Sequence, residues 1–424
     1  MRLLFNFYFI LLGAIGFIPY DLYQVPIDSK GLHWLVWGIL NSVYLIFLLY
    51  HSHKKNLKVP KSPVLISFII FFIISCVSSV NAINSTESLV RLTDLYVILS
   101  SLIIVYYLIK NRLINYKFLL WIIFFKLLIE TSLAFYQLHY YTLGFQVELN
   151  SNFTQYLKSF YGNKNVTSFS LLIQSTIAMV LFSKLSSRFL RIFVLSTVTL
   201  TIYILYFIST RAVLLSLPLI ITIILFVYIL KYIITKSSPL KEFKKTAIYI
   251  LVIILPYIIF TNNNVDNTID VEDRAISVSD FEGESVSNRL RFWTQSIESI
   301  KKKPILGIGI GNWKIESIKY DSENIYSYVI PYSSHNDFME IFAETGILGF
   351  FPYLCFFLFL IKKSINNLFQ WSKSKLNHYH IYMFICLVLF MIDINLNFPL
   401  SRPLMQIVLV LFIATFETLN YNEE

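Results

Sequence analysis

Charged residues and cysteines are both scarce in this sequence of 424 residues. Asp, Glu, Lys and Arg together make up 14% of it, and there are three cysteines. All three, Cys76, Cys355 and Cys386, lie within apolar runs, which argues against a disulfide framework and against a cysteine metal site. A Cys/His cluster with metal-ligand spacing and a nucleophile elbow are also missing. We therefore expect neither a metal site nor a cofactor.

Apolar residues are abundant instead. They account for 56% of the chain, and the mean hydropathy is +0.64, which is far above the usual range of soluble domains. A bilayer core of about 30 Å needs roughly 20 apolar residues per helical span, and runs near that length recur throughout. The sequence predicts an all-α polytopic membrane protein with about twelve transmembrane helices. We expect them near residues 3–22, 33–50, 64–82, 92–109, 118–138, 166–183, 189–208, 212–234, 246–260, 346–361, 379–396 and 403–419.

The distribution of Lys and Arg predicts the orientation in the membrane. Alternate loops hold three to five basic residues each, whereas each of the short loops between them holds at most one. Short basic loops stay on the cytoplasmic side, so both termini should be cytoplasmic. The basic loops are residues 51–62, 110–117, 184–191, 231–245 and 362–375.

Two outer segments interrupt the pattern of spans and short turns, residues 139–165 and the much longer 261–345. The longer one divides the chain into nine spans (1–260), a large outer loop (261–345) and three further spans (346–424). Loops of that length are usually functional or disordered. The acidic, Asn- and Ser-rich part at 261–288 has the composition of a flexible segment, and short helices are expected in the remainder.

The first expected loop helix covers residues 288–303. At about 100° per residue, Arg289 flanks its apolar stripe and Arg291 points roughly opposite, so Arg289 is the better candidate for facing inward. The apolar stripe consists of Leu290, Trp293, Ile297 and Ile300. It predicts that this helix rests on the surface of the membrane domain.

A second loop helix is expected over residues 333–345. Ser334 and Asp337 resemble a capping box at its start, and Gly346 marks its end. His335 would then fall in the first turn, where the helix dipole disfavours an imidazolium. A neutral imidazole at this position could accept a proton.

Arg211 lies in the three-residue turn 209–211 between two long apolar spans, which places it near the outer surface of the membrane. Guanidinium groups bind phosphates through two parallel hydrogen bonds, so arginines that converge there would suit a lipid pyrophosphate. Each candidate has a simpler interpretation. Arg211 could be an ordinary interfacial arginine, Arg289 and Arg291 a solvated helix face, and His335 a surface histidine.

Two other features have structural interpretations that compete with functional ones. Lys126 and Glu130 lie one helical turn apart within a span. They could form a buried ion pair with a structural role, or they could act as a relay. The glycines of PILGIGIGN (304–312) hint at a phosphate loop, but no Lys-Ser/Thr pair follows. A tight-turn segment is therefore the better interpretation.

Several short fragments, taken in order, carry a resemblance to a known family. They are YGNKN (161–165), STR (209–211), NRLRFW (288–293), KPILGIGIGNW (303–313), SHNDF (334–338) and AETGILG (343–349). Across about residues 160–350, and on the expected side of the membrane, this pattern closely resembles the O-antigen ligase and Wzy-type polymerase family. Members of that family are bacterial inner-membrane glycosyltransferases. They take a glycan from undecaprenyl diphosphate on the periplasmic side and are thought to work without a metal.

The resemblance implies roles for individual residues. Arg211 and Arg289 would hold the diphosphate leaving group, and His335 would position or deprotonate the acceptor hydroxyl. It also implies a glycan, lipid A core or protein acceptor, with no nucleic acid partner. The other substrate-binding candidates are Arg291, Trp293, Asn165 and Asn336.

Other functions remain open from the sequence. A polytopic transporter, such as a flippase for a lipid-linked glycan, would show repeated halves and intramembrane charges, and the sequence has no internal repeat. A receptor or scaffold would leave the Arg and His pattern as coincidence. Within the enzyme class, the sequence does not separate ligase from polymerase, nor does it name the sugar, the acceptor, the anomeric outcome or the oligomeric state.

Overall fold

The computed structural model describes residues 2–18, 29–55, 61–144, 153–236, 240–263, 284–320, 331–369 and 378–421. Within these ranges it is helical, with short turns and no strand. The chain is a polytopic membrane protein, as predicted. Its helices before the large loop are α1 (Arg2–Ile15), α2 (Ser29–Lys55), α3 (Pro63–Ser78), α4 (Ser85–Lys110), α5 (Tyr116–His139), α6 (Lys164–Lys184), α7 (Arg188–Ile208), α8 (Arg211–Thr235) and α9 (Leu240–Asn263). Those that follow are α10 (Glu284–Lys302), α11 (Trp313–Glu316), α12 (Asp337–Phe369), α13 (His378–Leu396) and α14 (Pro403–Tyr421).

Eleven helices of the described chain are long and apolar enough to cross a membrane. The first predicted span, 3–22, is the exception, because α1 ends at Ile15. Its 14 residues rise about 21 Å, which is short for a hydrocarbon core of about 30 Å. Residues 19–28 lie outside the described ranges.

The core of the bundle is built around α6 and α14, which are buried along nearly their whole length. Small and polar side chains let α6 approach its neighbours α5, α7 and α13 closely. By contrast, α2 and α9 expose many of their Leu and Ile side chains, as helices at a lipid boundary do. The small or polar residues buried on α6 are Thr167, Ser168, Ser170, Gln174, Ser175 and Thr176.

Lys126 and Glu130 form a buried ion pair inside this core, which was the first of their two predicted interpretations. The hydroxyl of Tyr161 donates to Glu130 Oε1 (2.9 Å), and Gln174 Nε2 donates to Glu130 Oε2 (2.6 Å). Lys126 Nζ also donates to the Tyr161 hydroxyl (3.1 Å). Both charges are thus satisfied within the bundle, which fits a structural role.

The large loop is only partly described, because residues 264–283 and 321–330 lie outside the described ranges. Most of the segment expected to be flexible, 261–288, falls there. The first loop helix is α10, whose start lies a few residues before the predicted one. The second forms the start of α12 and is interrupted at Gly346, where the backbone leaves helical geometry (φ 61°, ψ −169°).

Candidate functional site

The segment PILGIGIGN (304–312) crosses α12 next to Gly346, and the two backbones are in direct contact there. The amides of Ile308 and Gly309 donate to the carbonyls of Ala343 and Glu344 (both 3.0 Å), and the Ile347 amide donates to Pro304 O (2.8 Å). At Gly307 (φ +69°), a Cβ would lie 2.3 Å from the Glu344 carbonyl carbon and oxygen, so only glycine fits. The glycines therefore allow two backbones to touch. The tight-turn interpretation is correct, and these residues form a structural crossing.

This crossing anchors α10 through Trp313. The Trp313 side chain is 1% exposed, and its Nε1 donates to Ser296 Oγ (2.8 Å). Its backbone amide donates to Glu344 Oε1 (2.9 Å). Phe292 packs edge-on against the indole at 6.1 Å. Burial of an indole with both polar groups bonded fixes where α10 lies.

The face of α10 that packs against the protein differs from the predicted one. Leu290 and Ile297 are 44% and 42% exposed, so two of the four stripe residues point away from the protein. Instead, α10 packs with Phe292 and the small side chains of Ser296 and Ser299, which let the helix approach Trp313 closely. Hydrophobic periodicity alone missed this, since the packed face is mainly polar. Arg289 lies one turn before Phe292 on the packed face.

His335 lies before α12, whereas the sequence placed it inside the first turn. The N-cap is Asn336, whose Oδ1 accepts the Met339 amide (3.1 Å), and the helix begins at Asp337. Glu340 Oε2 accepts the Ser334 amide (2.8 Å), so the reciprocal half of the cap is made by Glu340 and Ser334. The predicted Ser334–Asp337 capping box was wrong for this reason. His335 adopts the left-handed conformation (φ 57°), which few residues other than glycine adopt.

Two aromatic rings hold the imidazole of His335. Phe292 of α10 stacks on it with ring centroids 6.1 Å apart, and Phe398 meets it edge-on at 4.8 Å. Phe398 belongs to the turn between α13 and α14, which Asp337 ties down by accepting the Leu400 amide (2.9 Å). His335 Nδ1 is buried and has no hydrogen-bond partner in the described chain.

Three arginines from separate elements form a cluster with this histidine: Arg289 and Arg402 lie near its ring, and Arg211 lies near Arg289. Arg289 comes from α10, Arg211 is the first residue of α8, and Arg402 precedes α14. Burial, followed by the charges of Arg289 and Arg402, lowers the pKa of His335 to about 4. Burial, followed by the charge of Arg211, lowers the pKa of Arg289 as well. The imidazole is therefore neutral at pH 7, as expected, but the cause is burial and nearby arginines rather than the helix dipole.

Arg211 owes its place to the turn between α7 and α8. Helix α7 ends at Ile208, Ser209 is left-handed (φ 50°), and Thr210 is the N-cap of α8.

Arg289 makes no hydrogen bond or salt bridge within the described chain, and the guanidinium of Arg211 is close enough to lower its pKa. A half-buried cation beside a like charge is unfavourable without an anion.

The remaining predicted residues occupy different positions. Arg291 lies over the Phe292 ring at 5.4 Å, and the Nε1 of Trp293 is buried without an acceptor in the described chain. The side chain of Asn336 caps α12 and approaches Asn395 (3.4 Å). Asn165 lies in the first turn of α6, and no hydrogen bond joins its side chain to the arginine cluster within the described ranges.

Arg402 and Phe398 were not among the predicted site residues. The Arg402 guanidinium lies 4.5 Å from the Phe398 ring centroid, which in turn contacts His335. A signal was present, because Arg402 is the single basic residue of an otherwise uncharged turn (394–403). Within the described residues no group of three or more His, Cys, Asp or Glu could hold a metal ion.

The fold and this cluster define a class: a polytopic membrane protein with a neutral histidine and a group of arginines at one end of its helices, two of them near the histidine and a third beside one of these two. Residues 192–354 match the family described as O-Antigen ligase, which confirms the resemblance over a region that contains Arg211, Arg289 and His335. Proteins of Rickettsia felis and Rickettsia conorii, provisionally named polysaccharide ligases, are each 33% identical over 90 residues, or 20% of this chain. The chain spans 21% of the length of these curated relatives.

Proposed function

We propose that this protein transfers a glycan from undecaprenyl diphosphate to an acceptor at the periplasmic face of the bacterial inner membrane. The observation that carries the proposal is the cluster of Arg211, Arg289, Arg402 and His335, of which all but Arg402 lie in the region matched by O-antigen ligases. Within the described residues, the half-buried Arg289 guanidinium of this cluster lies near a second guanidinium and has no carboxylate partner. That arrangement suits a diphosphate, which guanidinium groups bind bidentately.

The orientation of the chain supports a periplasmic site. Arg211, His335 and Arg402 lie at helix ends opposite the Lys- and Arg-rich connections of the sequence. Basic connections remain cytoplasmic, so the cluster would face the periplasm, with both termini in the cytoplasm. A polyprenyl chain would lie among the apolar helices while its diphosphate reaches the arginines.

The proposed reaction is displacement at the anomeric carbon. The acceptor hydroxyl oxygen forms the new glycosidic bond, the bond to the diphosphate oxygen breaks, and the lipid diphosphate leaves with the electron pair. His335 accepts the hydroxyl proton and later releases it to the leaving group or to water. Arginine charges stabilise the departing diphosphate, the role that a divalent ion has in many sugar transferases.

Donor binding also explains how a histidine with a pKa of about 4 could act as a base. Arg289 and Arg402 contribute to this low pKa, and a bound diphosphate would neutralise their charge. The pKa of His335 should then rise towards its ordinary value of 6.5. The base becomes effective only when the donor is present, which would limit unproductive reactions.

A flippase for lipid-linked glycans is the alternative from another class. Transporters place unbalanced charges at mid-depth, but the intramembrane Lys126–Glu130 pair is satisfied by Tyr161 and Gln174. The positive cluster lies at one end of the helices. The enzyme therefore fits these positions better.

Deletion of the gene in its bacterial host tests the proposal. A ligase predicts long lipid-linked chains that never reach their acceptor, and a polymerase predicts single repeats, both visible by gel analysis of the surface glycan. Wild type should restore the profile and Arg289→Ala should not, with exposed Arg188→Ala as the matched control. An unchanged profile in the deletion strain would contradict both activities.

A further inference from the structure

The first turns of α4 are bound to the backbone crossing. Ser88 Oγ donates to the Ile310 carbonyl (2.5 Å), and Asn312 Nδ2 donates to Ser88 Oγ (2.9 Å). Gly311 (φ +77°) lies against this part of α4, where a Cβ would come within 2.7 Å of the Glu87 carbonyl oxygen. The next turn of α4 therefore starts from a fixed position.

That next turn carries Arg91, whose side chain reaches the turn between α13 and α14. Arg91 is 8% exposed, and its Nη1 donates to the Leu400 carbonyl (3.2 Å) and lies 3.9 Å from Asp94 Oδ2. The Leu400 amide donates to Asp337 Oδ2 (2.9 Å) at the start of α12. Both backbone polar groups of Leu400 are thus held, one by α4 and the other by α12.

Several carboxylates attract the guanidinium of Arg91. Two other cations of this region have partners of their own, since Lys314 pairs with Glu87 (2.6 Å) and Lys30 lies 5.2 Å from the ring centroid of Tyr332. Attraction by more than one carboxylate keeps the guanidinium in place, and with it the hydrogen bond to the turn. The carboxylates whose charges act on Arg91 are those of Asp94, Asp337, Glu340 and Glu344.

The turn around Leu400 supplies two residues of the histidine site. Phe398 meets the imidazole of His335 edge-on at 4.8 Å. Arg402 is one of the two charged groups that lower the pKa of His335, and the other is Arg289 of α10. Leu400 is 2% exposed, so its carbonyl cannot exchange the Arg91 donor for water unless the turn moves. Such a movement would carry Arg402 away from the imidazole.

We propose that Arg91 is a positioning residue, which fixes Arg402 beside His335 by its hydrogen bond to this turn. The reaction that it would serve rests on the proposed function, in which Arg91 itself touches neither donor nor acceptor. The placement stands on the hydrogen bonds of Leu400 and can be measured without glycan transfer. Arg91 lies outside residues 192–354, so the family match does not account for it.

The pKa of His335 is the direct measure of this placement. NMR of the full chain in nanodiscs, with ¹³C-labelled histidine, measures it, and the His335 signal is the one missing from His335→Asn. Arg91→Lys keeps a positive charge among the carboxylates, but its shorter side chain lacks the nitrogen that reaches Leu400. The pKa of His335 should rise in this variant from about 4 to at least about 5, because Arg402 is released. A pKa equal to that of the wild type would overturn the proposal.

A second variant separates the hydrogen bond of Arg91 from its charge. Arg91→Gln removes both, and should raise the pKa of His335 as much as Arg91→Lys does. A rise in Arg91→Gln with none in Arg91→Lys would mean that Arg91 acts through its charge, which contradicts a positioning role. Arg191→Lys is the matched control, because the Arg191 guanidinium contacts Phe182 (4.6 Å to the ring centroid) at the other end of the helices. An equal rise in this control would also contradict the proposal.

A double-mutant cycle tests whether Arg91 acts through Arg402. Arg402→Gln alone should raise the pKa of His335. Addition of Arg91→Lys should raise it further by less than about 0.3, because the charge that Arg91 positions is already absent. Two rises that add in full would mean that the two arginines act independently, and would overturn this route.

This proposal and the proposed function fail separately. A raised pKa in Arg91→Lys, together with a wild type that transfers no glycan, would support the placement of Arg402 by Arg91 and contradict the transferase. Wild-type transfer that depends on Arg289, together with an unmoved pKa in Arg91→Lys, would support the transferase and overturn the role of Arg91.

Discussion

Replacement of Arg289 by Gln should stabilise the ligand-free protein while it removes donor binding. Burial and the neighbouring charge of Arg211 both act against the Arg289 cation, which lowers its pKa. The described chain provides no hydrogen bond or salt bridge in compensation. Functional sites often keep such unfavourable charges because the ligand neutralises them.

Coulomb's law gives the expected size of the effect. Two like unit charges roughly 6 to 8 Å apart, at an effective dielectric of about 20 to 40, repel by about 1–3 kcal/mol. Loss of some aliphatic packing offsets part of this. We expect a net gain of about 1 kcal/mol, or an increase of about 1–2 °C in Tm, allowing for the size of the chain.

Thermal unfolding of the purified protein, followed by tryptophan fluorescence, measures this difference with and without inorganic pyrophosphate. Pyrophosphate at ten times its Kd should stabilise the wild type by about 1.4 kcal/mol. It should stabilise Arg289→Gln much less. Arg291→Gln is the control on the same helix, since Arg291 lies over Phe292 and is not among the charges that act on Arg289.

The reasoning would be refuted if Arg289→Gln lowered Tm as ordinary substitutions do while pyrophosphate stabilised it as strongly as the wild type. That combination would mean that Arg289 is a structural cation rather than part of an anion site.

Further predictions concern the histidine and the backbone crossing. The value of kcat/KM for transfer should fall only near pH 4, because the lowered pKa keeps His335 neutral above that value, and a pH profile of initial rates measures this. Arg402→Gln removes one cause of the low pKa, so the acidic limb should move towards pH 6.5; an unmoved limb would exclude Arg402. The unfolded chain takes up the His335 proton below pH 6.5 and the folded one below about 4. The free energy of unfolding should therefore fall as the pH is lowered from 6.5 to about 4, by at most about 3 kcal/mol. Chemical denaturation at several pH values, with His335→Asn as the reference, measures this fall. Gly307→Ala should cost about 2–4 kcal/mol or prevent folding, since its Cβ would overlap the Glu344 backbone; normal Tm and expression would contradict the crossing.

Most of the fold could be predicted from hydropathy. Helix α8 runs from Arg211 to Thr235 against a predicted 212–234, and α13 from His378 to Leu396 against 379–396. These limits agree because the bilayer demands an unbroken apolar run of fixed length. The first predicted span, 3–22, does not agree with the structure, because α1 ends at Ile15 while the apolar run continues for several residues.

The site was less predictable, because it depends on packing between distant segments. Periodicity placed Leu290 and Ile297 of α10 inward, but the helix packs through Phe292 and small serines that a hydrophobicity pattern ignores. Arg402 lies 67 positions after His335, and no local pattern brings the two together. The cap on α12 was displaced because the Glu340 carboxylate reaches back to Ser334.

The central claim is that arginines of this chain activate a lipid diphosphate for glycan transfer. It is tested most directly by single-turnover transfer from a synthetic undecaprenyl-diphosphate glycan to an added acceptor, with purified protein in vesicles. Wild type and the exposed-arginine control Arg188→Ala should form product at equal rates, while Arg211→Ala and Arg289→Ala should be at least about a hundredfold slower. Product formed at the wild-type rate by both variants, or no product from the wild type, would contradict the account.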